Sequence, residues 1–170
     1  MLRKAILLIL VLILIPLFIF AETIDVQIKG VDDGVKTTKQ AKQGNIIGSD
    51  GDFILHRTGI VFDKKTDLEW FAGPDKDTNW DDAKKWVKRL QMAGGGWRMP
   101  TKKELKSLYN KEAGEHNMTP LLKTTGWWVW SGETEGSSSA WLFGFNRGGG
   151  TWYDQNDSSD IRVFAVRSLK

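Results

Sequence analysis

The densest group of side chains that could recognise a ligand lies near the end of the sequence, between residues 147 and 160. Trp152 and Tyr153 are adjacent there, close to a glycine-rich turn that contains Arg147. An aromatic ring can stack on the apolar face of a sugar while its N–H or O–H group makes a hydrogen bond. Neighbouring residues of a strand face opposite sides, so we expect one of the two rings to be exposed. The segment therefore predicts a binding surface.

The same segment carries four Asp and Asn side chains within the seven residues 154–160. Carboxylate and amide oxygens are suitable ligands for calcium, but the spacing lacks the glycine and the terminal glutamate of an EF-hand. Aspartate and asparagine are also common in ordinary turns. We therefore favour turns over a bound ion and predict no cofactor. The four residues are Asp154, Asn156, Asp157 and Asp160.

Binding groups are usually presented by loops on a rigid scaffold, so we expect the site in the loop-rich stretch 132–160. The predicted contact residues are Arg147, Trp152, Tyr153, Asp154, Asn156 and Asp157. Little favours catalysis. His56 and His116 are far apart in the sequence, and Glu133 and Glu135 lie in a Gly/Ser-rich loop, where exposed carboxylates keep ordinary pKa values. We therefore predict that the protein is not an enzyme.

The composition restricts the classes of partner. The chain has no cysteine, which excludes disulfides, thiol catalysis and thiolate metal sites. The formal charge is +3 and falls to about +1 without Arg3 and Lys4, so no nucleic-acid partner is expected. Residues 81–112 hold nine basic and four acidic side chains. They could attract a polyanion, but we favour the explanation that they form two solvated helix faces.

Residues 1–21 have the order of an export signal. Arg3 and Lys4 precede an uncharged apolar run that ends at Ala21, as in secretory signal peptides. The run spans about 25 Å as a helix, slightly less than the ~20 residues of a usual membrane span. We predict a cleaved signal peptide, with a retained inner-membrane anchor as the alternative. Either way the rest is expected to be periplasmic, secreted or on the cell surface, touching the membrane only through an uncleaved segment.

Residues 22–50 are expected to form a strand and a polar linker. Ile24, Val26 and Ile28 alternate with polar residues, as in a half-buried strand. The stretch that follows is rich in Lys, Gln, Gly and Asp and has few apolar residues. The folded domain is therefore predicted to occupy residues 51–170.

That domain has the pattern of an α+β fold. Apolar runs at residues 60–63 and 68–71 flank a polar turn and predict a hairpin. A first helix is predicted to be capped by Thr78 and to stop at residues 94–96, and a second to begin at Thr101. Four further strands are predicted at residues 127–131, 140–145, 151–153 and 161–166. Helices grouped between strands favour antiparallel sheets.

The chain contains nine tryptophans, most of them within apolar patterns. Large aromatic side chains bury much apolar area and commonly dominate a core. Five are predicted to fill the core in this way: Trp70, Trp86, Trp97, Trp130 and Trp141.

Several short phrases occur in a fixed order along residues 52–167. They are Thr66-Asp67-Leu68-Glu69-Trp70, Gly95-Gly96-Trp97-Arg98-Met99-Pro100-Thr101 with Glu104-Leu105, Trp128-Val129-Trp130-Ser131, Ala140-Trp141 and 163–167. Together they resemble the Lcl C-terminal domain family, named for a collagen-like bacterial surface adhesin. The resemblance implies a C-type-lectin-like fold, in which the first and last strands pair and two helices flank a strand-and-loop half. It also implies an extracytoplasmic location, and the named adhesin is associated with sulfated polysaccharides.

This sequence departs from the calcium-dependent lectins of that fold. Those lectins carry a Glu-Pro-Asn-type loop and a Trp-Asn-Asp strand motif, which the segment Trp152-Tyr153-Asp154 matches only loosely. We therefore expect a non-enzymatic, extracytoplasmic binding module that recognises a glycan or another envelope component. The alternative is a structural or assembly protein of an envelope complex, which would dock a protein partner.

Overall fold

A computed structural model describes residues 45–169, so the predicted segment 1–21 and the predicted strand near Ile24 lie outside the described residues. The described residues form nine strands, two α-helices and a short 3₁₀ helix. The strands are β1 Ile46–Asp50, β2 Phe53–His56, β3 Val61–Asp63, β4 Leu68–Ala72, β5 Trp128–Glu135, β6 Ser139–Gly144, β7 Gly149–Asp154, β8 Ile161–Arg162 and β9 Phe164–Ser168. The helices are α1 Trp80–Arg89, the 3₁₀ helix Met92–Gly94 and α2 Lys102–Leu108.

The strands form two sheets. The first has the order β1-β2-β3-β4-β9 and the second the order β7-β6-β5-β8. All neighbours are antiparallel except β5 and β8, which are parallel. The prediction of an α+β domain with two helices and antiparallel sheets is confirmed for the described residues, with this one parallel pair added.

The segment predicted as a single strand at residues 161–166 belongs to both sheets. The chain leaves the second sheet after Arg162 and pairs with β4 from Phe164 onward. Between them, the Val163 carbonyl accepts a hydrogen bond from the Gly73 N–H at 2.9 Å. Because residues 161–166 are all buried and run without a turn signal, the sequence pattern alone does not reveal the change of sheet.

Strand β1 lies within the segment predicted to be a polar linker. It pairs with β2 from Ile46 to Asp50, with an irregularity before Gly48. Its pairing rests on backbone hydrogen bonds, which do not require apolar side chains. Ile46 and Ile47 are 41% and 52% exposed. The folded part of the chain therefore includes residues before Gly51.

The cap of helix α1 lies one residue later than predicted, at Asn79 instead of Thr78. The side chain of Asn79, and not of Thr78, accepts the N–H of Asp82 at 2.9 Å. Thr78 is buried, and its carbonyl accepts the indole N–H of Trp130 at 2.8 Å. Both residue types cap helices well, so the tertiary contact of Thr78 decides between them. The predicted cap of α2 is confirmed, since Thr101 and Glu104 form a reciprocal capping box.

The core consists of two apolar clusters on opposite faces of the second sheet. One includes Trp70, Leu105 and Phe143, and the other includes Trp130 and helix α1. Trp70, Trp97 and Trp130 are buried as predicted. Trp86 and Trp141 are only half-buried, because each packs at the margin of its cluster; their prediction as core residues was wrong in that respect.

Candidate functional site: the two faces of strand β7

Strand β7 forms one edge of the second sheet and carries both aromatic residues of the predicted site. Trp152 lies opposite Trp141 of β6, and Tyr153 lies opposite Ala140. Because side chains alternate along a strand, the two rings emerge on different faces of the sheet. Tyr153 is 44% exposed and Trp152 is half-buried. The edge of the sheet therefore presents two surfaces of different chemistry.

The Tyr153 face contains a shallow cavity of about 150 Å³. Its floor is apolar, since Leu142 and Ile161 are buried there. Its rim combines aromatic rings with hydroxyl groups, which are chemically suited to a ligand with an apolar face and polar edges. The lining residues are Trp128, Leu142, Thr151, Tyr153, Ser159 and Ile161.

Two glycines shape this face next to Trp128. Gly144 and Gly149 lie opposite each other on β6 and β7. A Cβ atom at Gly144 would come within 2.4 Å of the Trp128 ring, whereas a Cβ at Gly149 would meet nothing within 4 Å. The indole of Trp128 therefore lies across the backbone of Gly144. Open space beside it, at Gly149, keeps this part of the surface accessible.

Asp157 adjoins the cavity through Tyr153 and Ser159. The backbone N–H of Ser159 donates a hydrogen bond to Asp157 Oδ1 at 2.9 Å. This bond, together with one from the Tyr153 side chain, lowers the pKa of the Asp157 carboxyl below its ordinary value. A carboxylate that stays ionised can accept hydrogen bonds from ligand hydroxyls. Asp157 thus adds an acceptor beside the exposed phenol.

The Trp152 face is basic and partly closed. Lys102 Nζ, at the start of α2, lies 3.8 Å from the centroid of the Trp152 ring and 5.7 Å from that of Trp141. Lys102 also pairs with Glu133, with Nζ and Oε2 separated by 3.2 Å. These contacts hold the ammonium group over one face of the indole. A ligand that stacks on that face must displace Lys102 and break its ion pair.

The structure brings some of the six predicted contact residues together and separates others. Tyr153 and Asp157 share one surface, whereas Trp152 belongs to the opposite face. Asp154 Oδ1 accepts both the N–H and the side-chain amide of Asn156, at 2.9 and 3.1 Å, so this pair forms a turn. Arg147 is exposed in the turn between β6 and β7, at the end of β7 remote from Tyr153.

The carboxylates of residues 154–160 already accept hydrogen bonds from within the domain. Asp160 Oδ2 accepts the Trp127 N–H at 3.4 Å, in addition to the turns centred on Asp154 and Asp157. Among residues 45–169, no group of three or more His, Cys, Asp or Glu side chains is placed to hold a metal ion.

Five residues that line the cavity were not predicted from the sequence as contact residues: Trp128, Leu142, Thr151, Ser159 and Ile161. Lys102, which covers Trp152, was considered only as part of the basic stretch 81–112. Thr151 could have been found, because it lies two residues before Tyr153 on the same side of a strand. The contributions of Trp128 and Ser159 depend on the packing of β5 and β8, which the sequence does not specify.

The most specific phrase of the sequence has a structural role. Trp97 is 8% exposed and its indole N–H donates to the Met92 carbonyl at 2.9 Å. The backbone of Arg98 pairs with Val166 of β9, and its guanidinium donates to Glu104 at 2.7 Å. This phrase ties α2 to the first sheet, and none of its residues lines the cavity beside Tyr153.

A buried arginine joins β8 to two loops. Arg162 is 8% exposed and donates to Asp75 at 2.9 Å, to Asp77 at 2.7 Å and to Thr125 at 3.2 Å. Burial alone would raise the pKa of Asp75, but the hydrogen bonds from Thr125 and Arg162 lower it below its ordinary value. The network fixes loops near β8 and is fully engaged within the domain.

These features define a class of protein: an α+β domain of two sheets whose edge strand presents aromatic residues beside a shallow cavity. Residues 59–167 match the model of the Lcl C-terminal domain. Because that match covers more than half of the chain, the protein belongs to the Lcl C-terminal domain family. The resemblance inferred from the sequence is thereby confirmed. No curated protein matches the chain.

Proposed function

We propose that this protein is an extracytoplasmic, non-enzymatic binding module that recognises a glycan or another component of the cell envelope. The observation that carries the proposal is the exposed Tyr153 ring at the rim of the cavity on β7. An exposed aromatic ring with hydroxyl groups and a carboxylate beside it is a common arrangement for binding sugars, since stacking and directed hydrogen bonds act together.

The proposal extends to the fold and location. We assign the domain to the C-type-lectin-like class. The pairing of β4 with the C-terminal β9, two helices in the described residues and family membership support that assignment. The charged start and apolar run of residues 1–21 support export. Among residues 45–169, no helix is long and apolar enough to cross a membrane.

The ionisable groups support a binding role over catalysis. Strongly shifted pKa values often mark catalytic clefts, but here most shifted groups serve ion pairs within the domain. Arg162 pairs with two aspartates and Arg98 pairs with Glu104. The described side chains with shifted pKa values are Asp75, Arg98, Glu104, Asp157 and Arg162.

A glycan array probed with the wild-type chain and with Tyr153→Ala tests the proposed function. We expect the wild type to bind a defined subset of glycans and the variant to lose that signal while keeping its melting temperature. Trp86→Ala, which changes a half-buried indole that stacks on Phe71 and does not line the cavity, serves as the control that keeps binding. A wild-type chain that binds no glycan in any salt condition contradicts the proposal.

One observation favours the alternative, a structural or assembly role with a protein partner. Among residues 45–169, β1 is an edge strand of the first sheet, and Ile46 and Ile47 are exposed on it. Exposed apolar side chains on a free strand edge are suited to pairing with another chain. A partner retained from membrane extracts by the wild type and by Tyr153→Ala, but lost with Ile47→Asp, would favour this role.

A further inference from the structure

The two faces of β7 differ in charge, and the difference restricts the ligand. On the Trp152 face, Lys102 supplies a positive charge that is already paired with Glu133. On the Tyr153 face, none of the described residues that line the cavity is charged, but two of them, Ser159 and Tyr153, donate hydrogen bonds to the Asp157 carboxylate. An anionic ligand on the Tyr153 face would meet a carboxylate of the same sign.

The accessible ring is Tyr153 and not Trp152. Lys102 Nζ lies over the Trp152 ring at 3.8 Å from its centroid, so stacking there requires loss of a cation–π contact and an ion pair. Tyr153 is 44% exposed and borders open space at the cavity. Its neighbour across the cavity, Trp128, is half-buried and lies across Gly144.

The size of the cavity limits the ligand to one ring. Its volume of about 150 Å³ is below the roughly 300–1,000 Å³ of pockets that enclose drug-sized ligands. A single pyranose offers one apolar C–H face for stacking and several hydroxyls at its edge. Thr151 and Ser159 can donate and accept hydrogen bonds, whereas the Asp157 carboxylate only accepts them.

We propose that the Tyr153 cavity binds one neutral pyranose residue of a glycan, with its apolar face on Tyr153 and Trp128 and its hydroxyls bonded to Asp157, Thr151 and Ser159. This inference rests on the proposed glycan-binding function and specifies the ligand class. The Asp157 carboxylate disfavours uronic acids and sulfated sugars in the cavity, because like charges repel. Binding does not use calcium, and the basic residues of α2 do not take part.

Matched pairs of immobilised polymers test the inference: neutral galactan against sulfated galactan, and methyl-esterified polygalacturonate against its free acid. The full chain is used in a non-glycosidic detergent, with its binding measured at low and high sodium chloride. We expect retention on at least one neutral polymer and weaker retention on its acidic counterpart. Affinity should change less than about twofold with salt, because exposed charges, which salt screens over about 8 Å, do not carry the binding.

Variants separate the two faces. Tyr153→Ala should lower affinity about tenfold or more, and Asp157→Asn severalfold. Tyr153→Phe keeps the ring and should retain most of the affinity. Lys102→Gln should leave binding of the neutral polymer unchanged. If Tyr153→Ala fails to fold, Thr151→Trp fills the cavity from its exposed rim and should abolish binding in its place.

The outcomes distinguish the inference from the function on which it rests. Preference for the acidic polymers, with steep salt dependence and loss in Lys102→Gln but not in Tyr153→Ala, overturns the neutral-sugar inference and preserves a glycan-binding function. If the chain binds none of the four polymers, the neutral-sugar inference is wrong. If it also binds no glycan on a broader array, the proposed function is wrong as well.

Discussion

Trp130 connects helix α1 to the second sheet at the level of a single residue. Its side chain is fully buried, and its indole N–H donates to the Thr78 carbonyl at 2.8 Å. Trp130→Ala should destabilise the domain by about 3–5 kcal/mol, a large part of a typical total of about 5–15 kcal/mol. Chemical denaturation measures the change. Tyr153→Ala, at an exposed site, should change stability by less than about 0.5 kcal/mol; equal stability of both variants contradicts the structure.

The glycine pair beside Trp128 provides a second, internally controlled comparison. Gly144→Ala should destabilise the domain by about 1–3 kcal/mol, because its Cβ would come within 2.4 Å of the Trp128 ring. Gly149→Ala, directly opposite on β7, should be neutral or slightly stabilising, since nothing lies within 4 Å of its Cβ. Thermal melts of the two variants provide the test. Similar melting temperatures would show that Trp128 moves away without cost.

For single residues, the sequence predicts the direction of a side chain better than the contacts that surround it. The alternation of side chains along a strand correctly predicts that Trp152 and Tyr153 differ, and Tyr153 is the exposed member. The cover that Lys102 places over Trp152 could not be predicted, because it depends on where α2 begins relative to β7. The buried role of Trp80 was also missed, because it depends on a distant residue: its indole N–H donates to the Ser131 carbonyl at 2.9 Å.

The short helix α2 depends on the interactions of Glu104. Burial alone would raise the pKa of this carboxyl, but hydrogen bonds from Arg98 and Thr101 outweigh burial and lower the pKa to about 2 from an ordinary 4.5. A lowered folded-state pKa stabilises the protein above about pH 4.5, and that stabilisation is lost as the pH falls towards 2. Glu104→Gln should therefore lower the free energy of unfolding by about 1 kcal/mol at neutral pH. The value is modest because Arg98 is 45% exposed and solvent screens the ion pair.

Denaturation of the wild type and Glu104→Gln from pH 7 to pH 2.5 provides the measurement. We expect the difference in unfolding free energy to shrink steadily below about pH 4.5. Arg98→Met should reduce the pH dependence in a similar way, and the double variant should cost less than the sum of the two, since both residues belong to one ion pair. A difference that stays constant with pH would show that Glu104 acts only as a cap.

Elements with a local signal were predictable, and those set by long-range pairing were not. The Thr101 cap and the hairpin of β3 and β4 follow from turn and capping residues close in sequence. The division of residues 161–166 between two sheets does not, because Val163 contacts Gly73, far away in the chain. Strand β1 was missed for a different reason: it pairs with the neighbouring β2 through backbone hydrogen bonds, which its polar composition does not indicate.

Binding of calcium would stabilise the folded domain as a whole by mass action. We expect no rise in melting temperature with millimolar calcium, because the carboxylates of Asp154, Asp157 and Asp160 already accept backbone hydrogen bonds. Differential scanning calorimetry with calcium, magnesium and a chelator provides the comparison. A rise of several degrees specific to calcium, and abolished by Asp157→Ala, would contradict this expectation.

The passage of the chain through Val163 from one sheet to the other affects the order in which the domain can form. Residues 68 and 168 are paired although one hundred positions separate them. Strand β8 ends at Arg162 in the other sheet, only two residues before β9 begins at Phe164. Folds with such high contact order form slowly, because a long loop must close, at a cost in chain entropy, before the paired strands stabilise the domain. During synthesis neither sheet can be completed until residues 161–168 have left the ribosome. A nascent chain that stops before Ile161 therefore leaves β4 and β5 each with an unpaired edge.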